Sequence, residues 1–308
     1  MINRNRLGLG CMGMSNLRNP EQSVKTIHTA LDAGISLFNT GEFYNAGQSE
    51  MIVGQALSGV PRDNYFLSVK FGVLPQPGGG IYGLDNTPFH IGGHLAYSLS
   101  RLGLDYIDLY QPARQDTEIP VEEVIGEISR FVDAGYVRHI GLSMVDAETL
   151  RRAHKVHPIH TVEMSYSLID RCIEKELIDT AKELGVKVLA FGTVGHGMLS
   201  DNALKKGSSV KERLSDEHIT FIQAIKEIAD EKGVTLSQLA LAWSLAKYDH
   251  VQSLVGTTNP EHLLSALDAL NITLTNEDIS LIETVCPAEK FSGMGMRKFV
   301  FTNGKVLL

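Results

Sequence analysis

The sequence is poor in the features that mark a special environment. It has three cysteines in 308 residues, Cys11, Cys172 and Cys286, far apart and without ligand spacing. That argues against a disulfide framework or a cysteine metal knot, and reads as reduced thiols in a cytoplasmic protein. It lacks any run of 18 apolar residues, so no transmembrane helix is predicted. The opening Met1-Ile2-Asn3-Arg4-Asn5-Arg6 leads straight into a strand, without the apolar stretch of a secretion signal. Long basic runs are missing and the net charge is −8, which argues against nucleic acid or an anionic membrane as main partner. His154, His157 and His160 are spaced by three, but Pro158 breaks any shared helical face, and no metal is predicted.

What is present is alternation. Short apolar runs at Leu7–Leu9, Leu37–Phe38, Tyr65–Val69, Tyr106–Tyr110, Ile140–Leu142, Thr161–Val162, Val186–Phe191 and Ser253–Val255 sit between turn signals and read as strands. Amphipathic segments separate them. Pro20–Ala33 carries Val24, Ile27 and Leu31 on one face, after an Asn19 cap, a first-turn proline and a capping-box Gln22. Val121–Ala134 repeats the pattern with Val124, Ile125, Ile128, Phe131 and Val132. Further helices are expected over Glu174–Leu184, Glu261–Leu270 and Asn276–Val285, then a tail, Pro287–Leu308. Eight βα units without a composition break predict an α/β fold: a single-domain (β/α)8 TIM barrel spanning 1–308, with extra C-terminal helices and a C-terminal tail. An open doubly wound sheet is the rival. Phe71–Pro88, rich in proline and glycine, reads as a long loop, a lid or substrate wall.

Gly8-Leu9-Gly10-Cys11-Met12-Gly13 matches G-x-G-x-x-G, the dinucleotide fingerprint. That motif must open a helix directly. Here Met14–Asn19 intervene, so the glycines read as a tight strand-to-loop crossing.

Barrel enzymes carry their chemistry at the C-terminal ends of strands. The ends collected here are Asn39 with Tyr44 beyond it, Lys70, Gln111 through Asp116, Ser143, Glu163, Phe191 and Gly256-Thr257-Thr258. Reducing a carbonyl by hydride requires a proton donor for the developing alkoxide. A tyrosine beside an ammonium is a minimal acid pair, and Lys70 is expected to lower the Tyr44 value.

Leu31-Asp32-Ala33-Gly34-Ile35, Phe38-Asn39-Thr40 through Tyr44, Val69-Lys70-Phe71-Gly72, Arg101 through Asp108, Ile140-Gly141-Leu142-Ser143 and Gly195-His196-Gly197-Met198-Leu199 together resemble the aldo-keto reductase superfamily. The resemblance implies carbonyl reduction by NAD(P)H without a Rossmann domain, on a small-molecule substrate. It implies a catalytic Asp-Tyr-Lys-His set, of which Tyr44 and Lys70 match while Asn39 and Ala113 stand at the acid and histidine positions. Asn39 removes a countercharge from Lys70. Both substitutions, with Tyr166 through Arg171, Ile173-Glu174 and His196-Gly197, resemble the pyridoxal reductase branch, which implies reduction of pyridoxal to pyridoxine. A broad aldehyde or ketone reductase, or a cofactor-binding redox-sensing subunit with weak turnover, is the alternative. Glu42 and Arg114 are candidate substrate contacts, or else a mutual salt bridge.

By the same resemblance Ser143 and Glu163 hold the nicotinamide carboxamide and Phe191 stacks on the ring beside Gly192. Gly195, His196 and Gly197 line the pyrophosphate. Gly256, Thr257, Thr258 and Asn259 precede a helix start suited to an anion. Between Leu254 and Leu270 the only potentially basic side chain is His262. A phosphate dianion normally takes arginine or lysine. NADPH is the expected cofactor, with NADH as the alternative.

Overall fold

The computed structural model describes residues 6–205, 207–291, 300–302 and 304–307. Strand β1 (Leu7–Gly10) and helix α1 (Pro20–Asp32) come first, then β2 (Leu37–Gly41), α2 (Gln48–Leu57) and β3 (Phe66–Phe71). Two short strands, β4 (Val73–Pro75) and β5 (Ile81–Leu84), precede α3 (Pro88–Leu102). There follow β6 (Ile107–Pro112), α4 (Val121–Asp133), β7 (Val137–Ser143), α5 (Ala147–Val156), β8 (Ile159–Ser165), α6 (Leu177–Glu183) and β9 (Lys187–Phe191). Helices α7 (Asp216–Glu231) and α8 (Leu236–Ala246) lead to β10 (Val251–Gly256), α9 (Pro260–Leu267) and α10 (Asn276–Val285). After them come β11 (Val300–Thr302) and β12 (Lys305–Leu307).

Strands β1, β2, β3, β6, β7, β8, β9 and β10 close into a parallel barrel in chain order. The seam is β1 against β10, with Leu7 opposite Ser253 and Gly10 opposite Gly256, which rules out the open sheet. Helix α1 starts as its sequence dictates: Asn19 Oδ1 accepts from the Gln22 amide at 3.1 Å, and proline takes the first turn. Gln22 reaches back to the Asn19 side chain at 2.6 Å, so the capping box is only partly formed. On α4, Val121, Val124, Ile125 and Ile128 are buried, each side chain contributing about 1.5–3 kcal/mol. Phe131 and Val132 pack at the edge of that core.

Three expectations are corrected. Phe71–Pro88 is not a loop: β4 and β5 form a hairpin, and β12 adds to β5 through Lys305 opposite Gly83. With β11 this makes a four-stranded sheet in the order β11-β12-β5-β4, so Val300–Thr302 and Lys305–Leu307 of the expected tail are strands. A Cβ on Gly83 would collide with the Gly304 carbonyl, so the close approach requires glycine there. Second, the helix expected over Glu174–Leu184 is a 3-10 turn at Cys172–Glu174 and then α6. Glu174 instead accepts from the Tyr166 hydroxyl at 2.7 Å and pairs with Lys247 at 2.8 Å. Third, Glu261–Leu270 divides into α9 and a 3-10 turn, Asp268–Asn271.

Candidate active site

The barrel interior holds one polar cluster, assembled from strands that lie far apart in sequence. Register sets Asn39 beside Ser68, Lys70 beside Gln111, and Ser143 beside Glu163. Lys70 is 4% exposed and Glu163 2%, so both charges are desolvated and each needs a partner. They find one another: Lys70 Nζ lies 2.6 Å from Glu163 Oε1. Asn39 spans the pair, accepting from Lys70 Nζ at 2.5 Å and donating to Glu163 Oε2 at 2.7 Å. Gln111 donates to the same Oε2 at 2.7 Å, and both amides donate to Ser68 Oγ at 3.1 Å. The countercharge that Asn39 cannot supply is therefore present, on the opposite wall. Asn39 thus removes a countercharge at its own position, but Lys70 is not the less stabilised cation expected, because Glu163 supplies another. Strand β8 also runs beyond Glu163 to Ser165, so Glu163 is an interior residue and not a strand end.

Tyr44 caps the cluster. Lys70 Nζ lies 5.2 Å from the centre of its ring, and Phe43 meets the ring edge-on at 4.7 Å. Burial raises the phenol above its ordinary value. Lys70 pulls it down, Glu163 pushes it up, and Arg114 pulls it down; burial prevails. Lys70 does lower the Tyr44 value, as expected, but burial outweighs it. Burial pushes the Lys70 ammonium down, but Glu163 and Tyr44 outweigh it and hold the value above normal. Burial lowers Arg114, against the pull of Tyr44 and Glu163.

Ala113, at the histidine position, is fully buried against Val73 and Leu84 of the hairpin, with Phe43 and Ile81 alongside. Its small side chain lets the hairpin seat on the barrel rim. Glu42 does not pair with Arg114. It accepts from the Gly72 amide at 2.7 Å, and His94 Nδ1 lies 2.9 Å from its carboxylate. Asn86 donates to the Arg114 carbonyl at 2.7 Å, and Arg114 Nη1 bonds the Ala113 carbonyl at 2.5 Å.

Ser143 is buried, and its Oγ has no hydrogen-bond partner among the described residues. Phe191 is half-buried beside Leu37, Leu189 and Leu254. Beyond it, Gly192, Gly195, His196 and Gly197 all take positive φ, at 68°, 58°, 53° and 90°. For His196 that conformation is strained by about 1–2 kcal/mol, and a Cβ at Gly195 would meet Ile169 at 2.6 Å. The amides of Gly195 and Gly197 donate within the turn, to the Gly192 and Val194 carbonyls at 2.7 and 3.1 Å. Past Gly256, Thr257 Oγ1 accepts from the Asn259 amide at 3.0 Å, and Asn259 Oδ1 caps α9 through the Glu261 amide at 2.8 Å. Thr258 receives Thr26 on its carbonyl at 2.9 Å, and His262 is exposed. After β1, Cys11 through Asn19 are turns and loop, and the first helix starts at Pro20, so the fingerprint glycines open no helix.

Ser68, Asp85 and His94 join the site without a sequence signal, and Gln111 joins it from a strand end. Gln111 was within reach, as the residue before Pro112 at a strand end. Among the described residues no group of three or more His, Cys, Asp or Glu side chains gathers as a metal site. No described helix is long and apolar enough to cross a membrane.

Known proteins share this architecture. The chain is 32% identical over 302 residues to a probable aldo-keto reductase 1 of Glycine max, covering 94% of this chain and 87% of that one. An aldo-keto reductase of Bacillus halodurans, solved in holo form, superposes with a TM-score of 0.80 at 28% identity, covering 92% of each chain. One from Klebsiella pneumoniae, solved with NADPH, superposes with a TM-score of 0.73 at 26% identity, over 92% of this chain and 91% of that one. The sequence pattern of the aldo/keto reductase family matches residues 6–286, nearly the whole chain, and the chain therefore belongs to the aldo/keto reductase family.

Proposed function

We propose that the chain reduces an aldehyde to an alcohol with NADPH, and that pyridoxal is its substrate. The observation that carries the reading is Tyr44 set against a buried, ion-paired Lys70 at the mouth of the barrel, the ammonium 5.2 Å from the centre of its ring. NADPH supplies the hydride when bound. Tyr44 donates the proton to the alkoxide oxygen as it forms. Burial keeps Tyr44 protonated at neutral pH, so the acid is in its donating form before chemistry starts. Lys70 and Arg114 then stabilise the phenolate that is left, in a site where little water screens them.

The cofactor fits residues of this chain. The orphaned Ser143 Oγ would take the carboxamide, and Phe191 would lie against the ring beside Gly192. The glycine-lined turn Gly195-His196-Gly197 would let the pyrophosphate pass close to the backbone, and the α9 start at Thr257, Thr258 and Asn259 would receive the phosphate end. Glu163 has both oxygens engaged, so a carboxamide contact there would share them with Lys70, Asn39 and Gln111. His262, beside Glu261, gives a 2′-phosphate weak support, which keeps NADH as the alternative.

The test is loss of 340 nm absorbance with pyridoxal and NADPH. Tyr44→Phe should lower kcat on the order of 10²–10⁴-fold while NADPH binding, read by fluorescence, stays intact. Undiminished turnover in Tyr44→Phe would remove Tyr44 as the acid. Turnover with unrelated aldehydes but not pyridoxal would replace the substrate, and a single burst without turnover would favour a redox-sensing subunit. A large kcat/KM advantage for NADH would reverse the cofactor order.

A further inference from the structure

The ion pair that crosses the barrel joins residues from well-separated strands. One buried ammonium, Lys70, is met by one buried carboxylate, Glu163, and by one amide, Asn39, which touches both. A second carboxylate would leave the cluster over-charged, and none would leave Lys70 alone. Either would be costly, because a charge deprived of its partner has no water to replace it.

We infer that Glu163 is a positioning residue of the site, the counter-ion that holds the Lys70 ammonium beneath Tyr44, and that the carboxylate and amide of positions 163 and 39 are interchangeable as a pair but not singly. The inference rests on the reading of Tyr44 and Lys70 as the acid pair.

The geometry supports the exchange. In the double variant Asn39→Asp with Glu163→Gln, the new carboxylate at position 39 keeps the oxygen that accepts from Lys70. The new amide at position 163 keeps a carbonyl oxygen for the same ammonium. The bond between the two side chains survives with its direction reversed, the amide at 163 now donating to the carboxylate at 39. Ser68, which accepts from both amides of the parent, has its own hydroxyl proton to donate to that carboxylate. Gln111 must then rotate to present an acceptor. Its Oε1, buried and without a hydrogen-bond partner among the described residues, is available for that role. Neither single substitution has such a solution: Glu163→Gln strands a buried lysine, and Asn39→Asp sets two carboxylates on one ammonium.

The experiment is a cycle of Asn39→Asp, Glu163→Gln and the double variant on the full chain, read by Tm without cofactor and by kcat/KM against pH with NADPH and pyridoxal. Glu163→Gln should lower Tm by roughly 5 °C or more and kcat/KM on the order of 100-fold. Its activity should also fail at lower pH on the alkaline side, because Lys70 loses the charge that keeps it protonated. The double variant should recover most of the Tm loss, return to within about 10-fold of the parent kcat/KM, and restore the alkaline limb. A merely structural role would not move that limb. A silent Glu163→Gln, or a double variant no better than the single, overturns the inference. If Glu163→Gln does not fold, the double variant decides alone: folded and active supports the pairing, unfolded or inactive overturns it. Tyr44→Phe runs alongside. Full activity in it overturns the acid assignment and the positioning role with it; inactive Tyr44→Phe beside fully active Glu163→Gln overturns the positioning role only.

Discussion

At the scale of single residues the site is governed by burial more than by contact. Tyr44 illustrates it. A neighbouring ammonium draws a phenol down, yet desolvation wins and leaves Tyr44 a weaker acid at rest. Arg114 offsets part of this from the rim. Arg114→Ala should therefore push Tyr44 further up, moving the alkaline limit of activity to higher pH, and should lower kcat because the phenolate loses a cation. If Arg114 also touches substrate, KM for pyridoxal rises on the order of 10-fold, as for a lost charge-assisted hydrogen bond. Unchanged KM, kcat and pH profile would take Arg114 out of the site. The two halves of the acid pair were legible in the sequence, since tyrosine and lysine at adjacent strand ends have few other uses together. The role of Glu163 was not. Offsets along a chain show which residues end strands, but not which side chains meet across a closed barrel. The one available clue was electrostatic: a buried lysine beside an asparagine must find its carboxylate somewhere.

At the scale of elements the hairpin is what the sequence hid. Strands of three and four residues flanked by Pro75, Pro77 and three glycines carry no periodicity, and the partner of β5 comes more than 200 residues later. The barrel strands, the capped helices α1, α9 and α10 and the amphipathic α4 had local signatures and were legible. The hairpin is fixed to the barrel by Glu42, which holds the Gly72 amide and His94, and by Asp85, which bonds His90 at 2.8 Å and stands 3.9 Å from His94 Nε2. Burial pushes the His94 imidazole down, but Glu42 and Asp85 outweigh it and leave it above its ordinary value. A group so raised contributes stability that is fully present below its unfolded value near 6.5 and is lost as pH rises through the folded value. His94→Ala should thus lower Tm more at pH 6 than at pH 9; an equal loss at both would show that the charge contributes nothing. Gly83→Ala should separate β12 from β5 while leaving the barrel closed, seen as faster exchange of the Leu84 amide, which bonds the Gly304 carbonyl at 2.6 Å, with little change in Tm. Unaltered protection there would deny the close approach its structural role.

At the scale of the whole molecule, one closed barrel predicts one unfolding event. The single tryptophan, Trp243, is well placed to report it. It is fully buried on α8, stacks obliquely on Tyr166 at 5.4 Å just beyond β8, and donates to Glu283 of α10 at 3.1 Å. Its fluorescence and the far-ultraviolet circular dichroism should change together in urea; separate midpoints would indicate two folding units. The cross-barrel pair adds a signature at alkaline pH. Lys70 is raised in the folded state, so its contribution persists up to the unfolded value of 10.5 and is lost as pH climbs through the folded one. The same pair constrains how such a chain can change over generations. A lineage exchanging residues 39 and 163 one at a time must pass through a protein with no interior acid or with two. Both intermediates are costly, and the two-acid one is the less so, since close carboxylates can share a proton. Descent between the two arrangements would then run through a form whose fitness depends on the acidity of its cell.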